Sequence, residues 1–252
     1  MQDEPTSSHP GAGKAPPAPA ASPLQSLTAR LSSPGSRLML LGGGFAALFA
    51  CLAVFGAIAE DVRNQEANAL DAFATPLLHG LSSPILDAIM GALTDIGSTM
   101  VVGPLCVVAV VLLVWRRHRP EAAFLVVSIA GSVALNESLK LIFHRPRPQL
   151  DWAHVQAEYS FPSGHAMNSL VFYVAIALVV WLLLGRRAGL IAVAAAIVLA
   201  ILIGTSRIYF GYHYLTDVVG GFFAGAAWLL IVAGAFAGRL RPDRSRDGAP
   251  AP

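Results

Sequence analysis

Six apolar runs, each close to the length of a bilayer crossing, leave this chain few architectures. They cover residues 38–59, 99–115, 121–143, 165–184, 188–206 and 215–237. At ~1.5 Å of helix rise per residue, runs of this length match a hydrocarbon layer of ~30 Å. No water is available there to satisfy backbone N–H and C=O groups, so each run is predicted to be a helix. The chain is 55% hydrophobic and only 13% charged, against about 25% charged residues in a soluble domain. The expected fold class is therefore all-α: a polytopic membrane protein with six transmembrane helices, whose surroundings are the lipid bilayer and for which no nucleic-acid partner is expected. The sequence carries no signal of oligomeric state.

The flanks differ in composition. Residues 1–36, with "GAGKAPPAPAASP", cannot bury a core and are read as a disordered cytoplasmic tail. Residues 37–238 form the membrane domain, and 239–252 a short basic cytoplasmic tail. The first run ends in "AIA" like a signal-cleavage site, but it exceeds the ~7–15 residues of a signal h-region and is read as a retained span. Cys51 and Cys106 both lie inside apolar runs, where they read as small core hydrophobes rather than metal ligands or a disulfide framework.

Residues 60–98 interleave acidic and apolar positions. Leu70, Phe73, Leu77 and Leu81 recur at helical spacing, as do Ile85, Ile89 and Leu93, with Pro76 and Pro84 as interruptions. This predicts short amphipathic helices between the first and second spans, lying at the membrane surface or packed on the bundle.

Charge sets the orientation. With a cytoplasmic amino terminus, Arg116, Arg117, Arg119, Arg186, Arg187 and Arg239 fall on the cytoplasmic side, as the positive-inside rule favours. The far side holds Arg63, Lys140, Arg145, Arg147 and Arg207. Cations placed against this bias call for a chemical reason. Three far-side stretches supply one: "KLIFHRPRP" (140–148), "PSGH" (162–165) and "SRIYFGYHYLTD" (206–217).

Lys140, Arg147 and Arg207 have few acidic neighbours, and a cluster of cations suits a polyanion such as phosphate. Ser163 and Gly164 sit where a helix begins. The unpaired N–H groups and partial positive charge of a helix start favour an anion. Ser163 suits an N-cap, and Gly164 lets a ligand approach the backbone. His213 and Asp217 are four apart. On a helix they would share a face, so that the carboxylate holds one ring nitrogen and leaves the other free. His165 is the second imidazole, at the helix start. One histidine can act as nucleophile and the other as acid.

Lys140 with Arg147-Pro148, Pro162-Ser163-Gly164-His165, and Ser206-Arg207 with His213 and Asp217 resemble, in order, the three motifs of the type 2 phosphatidic acid phosphatase (PAP2) family. That family includes lipid phosphate phosphatases and undecaprenyl-diphosphate phosphatases. The resemblance is densest over 85–235. It implies that His213 attacks phosphorus to form a phosphohistidine, that Asp217 orients His213, and that His165 protonates the leaving oxygen. It also implies that Lys140, Arg147, Ser163, Gly164 and Arg207 hold the phosphoryl oxygens, with no metal or other cofactor. The implied substrate is a membrane lipid, either a polyprenyl diphosphate such as undecaprenyl diphosphate or a phosphatidic-acid-like lipid. Two other readings stand beside it: a lipid phosphotransferase using the same site, and a non-catalytic lipid-binding or transport protein.

Arg145, outside the motif positions, reads as an interfacial anchor. Glu137 reads as a structural partner of Lys140, and Tyr209, Phe210, Tyr212 and Tyr214 as an interfacial aromatic belt. The Ala-, Pro- and Arg-rich tails point to a bacterial inner membrane, with both termini cytoplasmic and the site facing the periplasm or exterior.

Overall fold

The computed structural model describes residues 34–65, 69–153 and 159–240, with side chains from Leu41 onward. Residues 1–33 of the expected tail 1–36, residues 241–252 of the expected tail 239–252, and the loop interior 154–158 lie outside the described residues; 34–36 already belong to the first helix. The chain separates at Gly43 into a short leading unit and the unit Gly44–Pro252, which holds the packed helices and the site discussed below.

The described residues form helices only: α1 (Pro34–Arg63), α2 (Ala69–His79), α3 (Pro84–Ile96), α4 (Thr99–Trp115), α5 (Arg119–Phe143), α6 (Gly164–Leu184), α7 (Arg186–Tyr209) and α8 (Leu215–Phe236). Leu41–Arg63 of α1, and α5, α6, α7 and α8 in full, are each long and apolar enough to cross a membrane. The run 99–115 is different. At 17 residues α4 is short of a crossing, and it qualifies only together with α3, across a bend of 46°. The second expected span, 99–115, reaches crossing length only if it joins α3, a segment read from sequence as a surface helix. Pro84 opens α3 at its first turn instead of interrupting a helix, where its missing N–H costs nothing. The bend falls at Gly97-Ser98, where Ser98 turns extended (ψ 154°) before α4 begins.

The helix α6 is the hub, packed most closely on α7 and also on α8 and α5. Away from the motif end, Phe124 and Leu125 of α5, Val171, Phe172 and Ala175 of α6, and Leu229 of α8 form the main core. Toward the motif end, α6 and α8 come closer. A Cβ added at Gly221 of α8 would lie 2.8 Å from the carbonyl oxygen of Ser163, so only glycine allows this approach. Small residues at helix crossings serve this purpose in membranes, where burial of apolar surface cannot drive association.

The helix α2 resolves the alternatives left open for 60–98. Its polar residues Asp71 and Thr75 are buried, while Leu70, Phe73 and Leu77 are exposed. Ile85 and Ile89 of α3 are exposed likewise. The apolar stripe thus faces away from the protein and the polar side faces inward, the reverse of a soluble amphipathic helix and suited to lipid contact.

Candidate active site

The three motif stretches meet at one end of the bundle, where α5 and α7 end and α6 and α8 begin. Lys140 lies in the last turn of α5, which stops at His144 in the left-handed region (φ 48°). Beyond it, Arg147 turns back onto the α7–α8 connection: its guanidinium donates to the Tyr212 carbonyl at 2.7 Å and lies 3.3 Å from His213 Nε2. The stretch is tied to the start of α6 by Ser160, whose N–H donates to the Arg145 carbonyl at 2.8 Å and whose hydroxyl donates to that of Pro146 at 3.1 Å.

Arg207 occupies the last turn of α7, further into helix than the expected span end at 206. Its guanidinium lies over the Tyr212 ring at 4.4 Å and donates to Thr94 Oγ1 of α3 at 3.4 Å. The Arg207 carbonyl accepts from the N–H groups of Tyr212 and His213 at 3.0 and 3.3 Å, which folds the connection back over the site.

His213 and Asp217 meet as expected, but not by sharing a helical face. His213 precedes α8, Tyr214 is the N-cap, and Asp217 is the third helical residue. The Asp217 carboxylate reaches back over the cap. Its Oδ2 accepts the Tyr214 N–H at 2.9 Å and lies 3.4 Å from His213 Nδ1. Asp217 is fully buried and His213 is 2% exposed. Burial pushes the His213 imidazole down to about 4, against the opposing pull of Asp217. Burial therefore favours the neutral ring, with Nδ1–H toward the carboxylate and the Nε2 lone pair turned to the cavity, facing Arg147 NH1 at 3.3 Å.

A cavity of about 350 Å³ gathers Lys140, Arg147, Gly164, His165, Arg207 and His213 in its wall. Asp217 stands behind His213, outside this wall. Ser163 takes the expected N-cap position of α6, but its side chain makes no cap bond: it is fully buried and lines no part of the cavity. Its N–H donates to the Asp217 carbonyl at 3.0 Å, while its hydroxyl has no hydrogen-bond partner among the described residues. At Gly164 a Cβ would sit 2.9 Å from Asn136 Oδ1 and 3.8 Å from Lys140 Nζ, so glycine lets Asn136 and Lys140 reach the helix start. Arg207 Nε is also buried, with no hydrogen-bond partner among the described residues. A buried guanidinium N–H left unsatisfied by protein is a donor available to an anion.

Glu137 pairs with Lys140 as read from the sequence, accepting from its Nζ at 2.9 Å, and it also lines the cavity. Other residues escaped the sequence reading. Arg145 is no interfacial anchor: its NH1 donates to Asp217 Oδ1 at 2.6 Å and its NH2 to Asp71 Oδ2 at 2.8 Å. The aromatic belt is likewise corrected. Tyr209 is buried and bonded to Asp87, Tyr212 carries Arg207, and Tyr214 carries Arg145 at 4.2 Å. Among the described residues, no group of three or more His, Cys, Asp or Glu is arranged to hold a metal. The larger cavity, about 420 Å³, lies elsewhere: Arg145, Asp71 and Arg63 line it, and none of the predicted site residues does.

Residues 121–241 match the model of the PAP2 superfamily. Phosphatidylglycerophosphatase B of Bacillus subtilis is 31% identical over 157 residues, spanning 61% of this chain and 77% of that protein. The chain belongs to the PAP2 superfamily. Among solved structures, the transmembrane PAP2-type phosphatidylglycerolphosphate phosphatase from Bacillus subtilis superposes with a TM-score of 0.70 at 27% identity, covering 78% of this chain and 98% of that one. The undecaprenyl-diphosphatase BcrC of Bacillus subtilis is 28% identical over 57% of this chain and 72% of its own. This PAP2 protein is thus a multi-span membrane protein of a phosphatase family, and its helical fold is that of the transmembrane PAP2 enzymes.

Proposed function

We propose that this PAP2 protein removes the terminal phosphate from a membrane lipid, a lipid phosphate monoester or a polyprenyl diphosphate, through a phosphohistidine and without a metal. One observation carries the reading: His213, backed by Asp217, shares a cavity with His165 and three cations. In the first step His213 Nε2 attacks phosphorus, the bond from phosphorus to the leaving oxygen breaks, and His165 gives that oxygen its proton. In the second, water attacks phosphorus, His165 takes the water's proton, and the N–P bond breaks to release phosphate. Lys140, Arg147, Arg207 and the α6 amino terminus hold the phosphoryl oxygens. Phosphoryl transfer needs mainly position and charge neutralisation, which these groups supply.

The lipid class is supported by the cavity's other end. Past the cations it continues along Val102 and Gly103 of α4 and Ile129 and Val133 of α5, an apolar arm suited to a chain entering sideways from the bilayer. The named relatives act on phosphatidylglycerophosphate or undecaprenyl diphosphate, so both lipid types belong in the test. The charge bias supports a site on the outer face of a bacterial inner membrane. The experiment is phosphate release by the purified chain in detergent from phosphatidylglycerol phosphate, undecaprenyl diphosphate, phosphatidate and lysophosphatidate, with His213→Ala beside it. One lipid should be turned over by the wild type alone, and brief incubation should trap an acid-labile, base-stable phosphoryl group on the protein. Turnover by His213→Ala at the wild-type rate would refute the reading.

A further inference from the structure

We propose that Arg145 and Asp71 are positioning residues that set the charge and orientation of Asp217, and through it the nucleophilicity of His213. This rests on the function proposed above and names two residues in its service. Neither comes from the matched motif positions, and Asp71 comes from α2.

The geometry is a closed chain of charges. Asp217 presents Oδ2 to Tyr214 N–H and to His213, so its position depends on what holds Oδ1, and that is Arg145 NH1 at 2.6 Å. Arg145 is held in turn from behind. Its NH2 meets Asp71 Oδ2 at 2.8 Å, and the face of the guanidinium lies on Tyr214. Asp71 Oδ1 accepts the Thr216 N–H at 2.8 Å, and Oδ2 accepts the Thr216 hydroxyl at 2.6 Å. A carboxylate from α2 thereby satisfies a donor in the first turn of α8 and sits at its positive end. Asp71 and Asp217 are 5% and 0% exposed, so these bonds are little screened by water.

The chemical consequence follows from charge sharing. One guanidinium stands between two carboxylates. If it faced Asp217 alone, it would draw off most of the negative charge that holds the His213 Nδ1–H. With Asp71 taking part of that cation, Asp217 keeps more acceptor strength for the imidazole. The other charged or titratable groups facing His213 are Arg147 and Arg207, with His165, Lys140 and its partner Glu137 across the cavity. The cations Arg147 and Arg207 disfavour a protonated ring. Asp217 is therefore the group that offsets them, and its environment is the lever.

The two changes should differ in their effect on the His213 titration but both should slow turnover, since each loosens the Asp217 that orients the ring. Asp71→Asn keeps the shape and most hydrogen bonds, but it turns the Arg145 charge wholly onto Asp217. Arg145→Gln frees Asp217 from its cation. The test uses the full chain in detergent, uniformly labelled with ¹⁵N-histidine, with the His213 ring signals assigned from His213→Gln. In Arg145→Gln the coupled His213–Asp217 pair should take up its proton about one pH unit higher than in wild type, and in Asp71→Asn no higher than wild type. With the fastest lipid of the panel, kcat should fall about tenfold in Asp71→Asn and about 100-fold in Arg145→Gln, with KM within about threefold. The assignment is overturned if the ring titration is unmoved in Arg145→Gln, if KM rises while kcat holds, or if Asp71→Asn is wild-type in rate. It is equally overturned if both variants lose the wild-type elution profile, which would make the pair a fold brace only. Active His213→Ala would sink the function itself; inactive His213→Ala beside unperturbed Asp71 and Arg145 variants would sink only this inference.

Discussion

The Ser163 N–H donates to the carbonyl oxygen of Asp217 at 3.0 Å. One backbone bond thus joins the segment that carries His165 to the residue behind His213. It fixes the spacing of the two imidazoles through main chain, which is stiffer than any side-chain contact between them. The bond forms because Gly221, one turn along α8 from Asp217, lets the Ser163 carbonyl within 2.8 Å of where a Cβ would be.

Replacing Gly221 should separate the two segments. Gly221→Val inserts bulk against main chain that cannot swing away, at a cost of about 1–3 kcal/mol. The thermal midpoint in detergent should drop, and phosphate release should drop further than stability alone requires. A variant with lowered stability and an unchanged rate per folded molecule would show that the α6–α8 approach does not set the catalytic spacing.

His165 should matter in proportion to how poor the leaving group is. If it donates the proton to the departing oxygen, His165→Ala should slow a lipid phosphate monoester by about 10²–10⁴-fold. A diphosphate, whose leaving phosphate is stable without that proton, should lose much less. Single-turnover rates on both lipids measure this. Equal losses would assign His165 to binding instead.

The pH response of His213 has a definite sign. Its folded-state value, near 4, lies below its ordinary 6.5 because burial penalises the charged ring. The unfolded chain therefore binds more protons between these values. The stability tied to the neutral ring is complete above about 6.5 and declines as pH falls toward about 4. The His213 ring ¹⁵N shifts should still read neutral at pH 5.5, where an exposed histidine is mostly protonated. Titration near the ordinary value would contradict the buried site.

The apolar arm can be blocked without touching the cations. Gly103 lines the cavity, and a Cβ there meets nothing within 4 Å. Gly103→Leu should fit in α4 yet fill the arm. Turnover of a long-chain lipid phosphate should fall about tenfold or more, the scale expected when a pocket loses room for a chain, while a short-chain soluble analogue should be spared. Equal effects on both would place the lipid chain elsewhere.

Much of this protein was legible in the chain itself. Hydrocarbon-length apolar runs dictate helices because unpaired backbone groups are intolerable in lipid. The order Lys140–Arg147, Ser163–Gly164–His165, Arg207–His213–Asp217 announces an anion site because cations placed against the orientation bias need a counter-charge. Arg145 stood in plain view in "HRPRP", yet nothing local separates an arginine that grips a carboxylate from one that anchors at the interface. Asp71 gave no signal at all, since its partners Arg145 and Thr216 lie 74 and 145 residues further on. The inversion of α2, the bend between α3 and α4, and the buried hydroxyl of Ser163 were also decided by packing. Periodicity and motif spacing record what each segment needs locally. Which polar face turns inward, and which carboxylate a guanidinium meets, depends on helices distant in sequence closing around the same few buried charges.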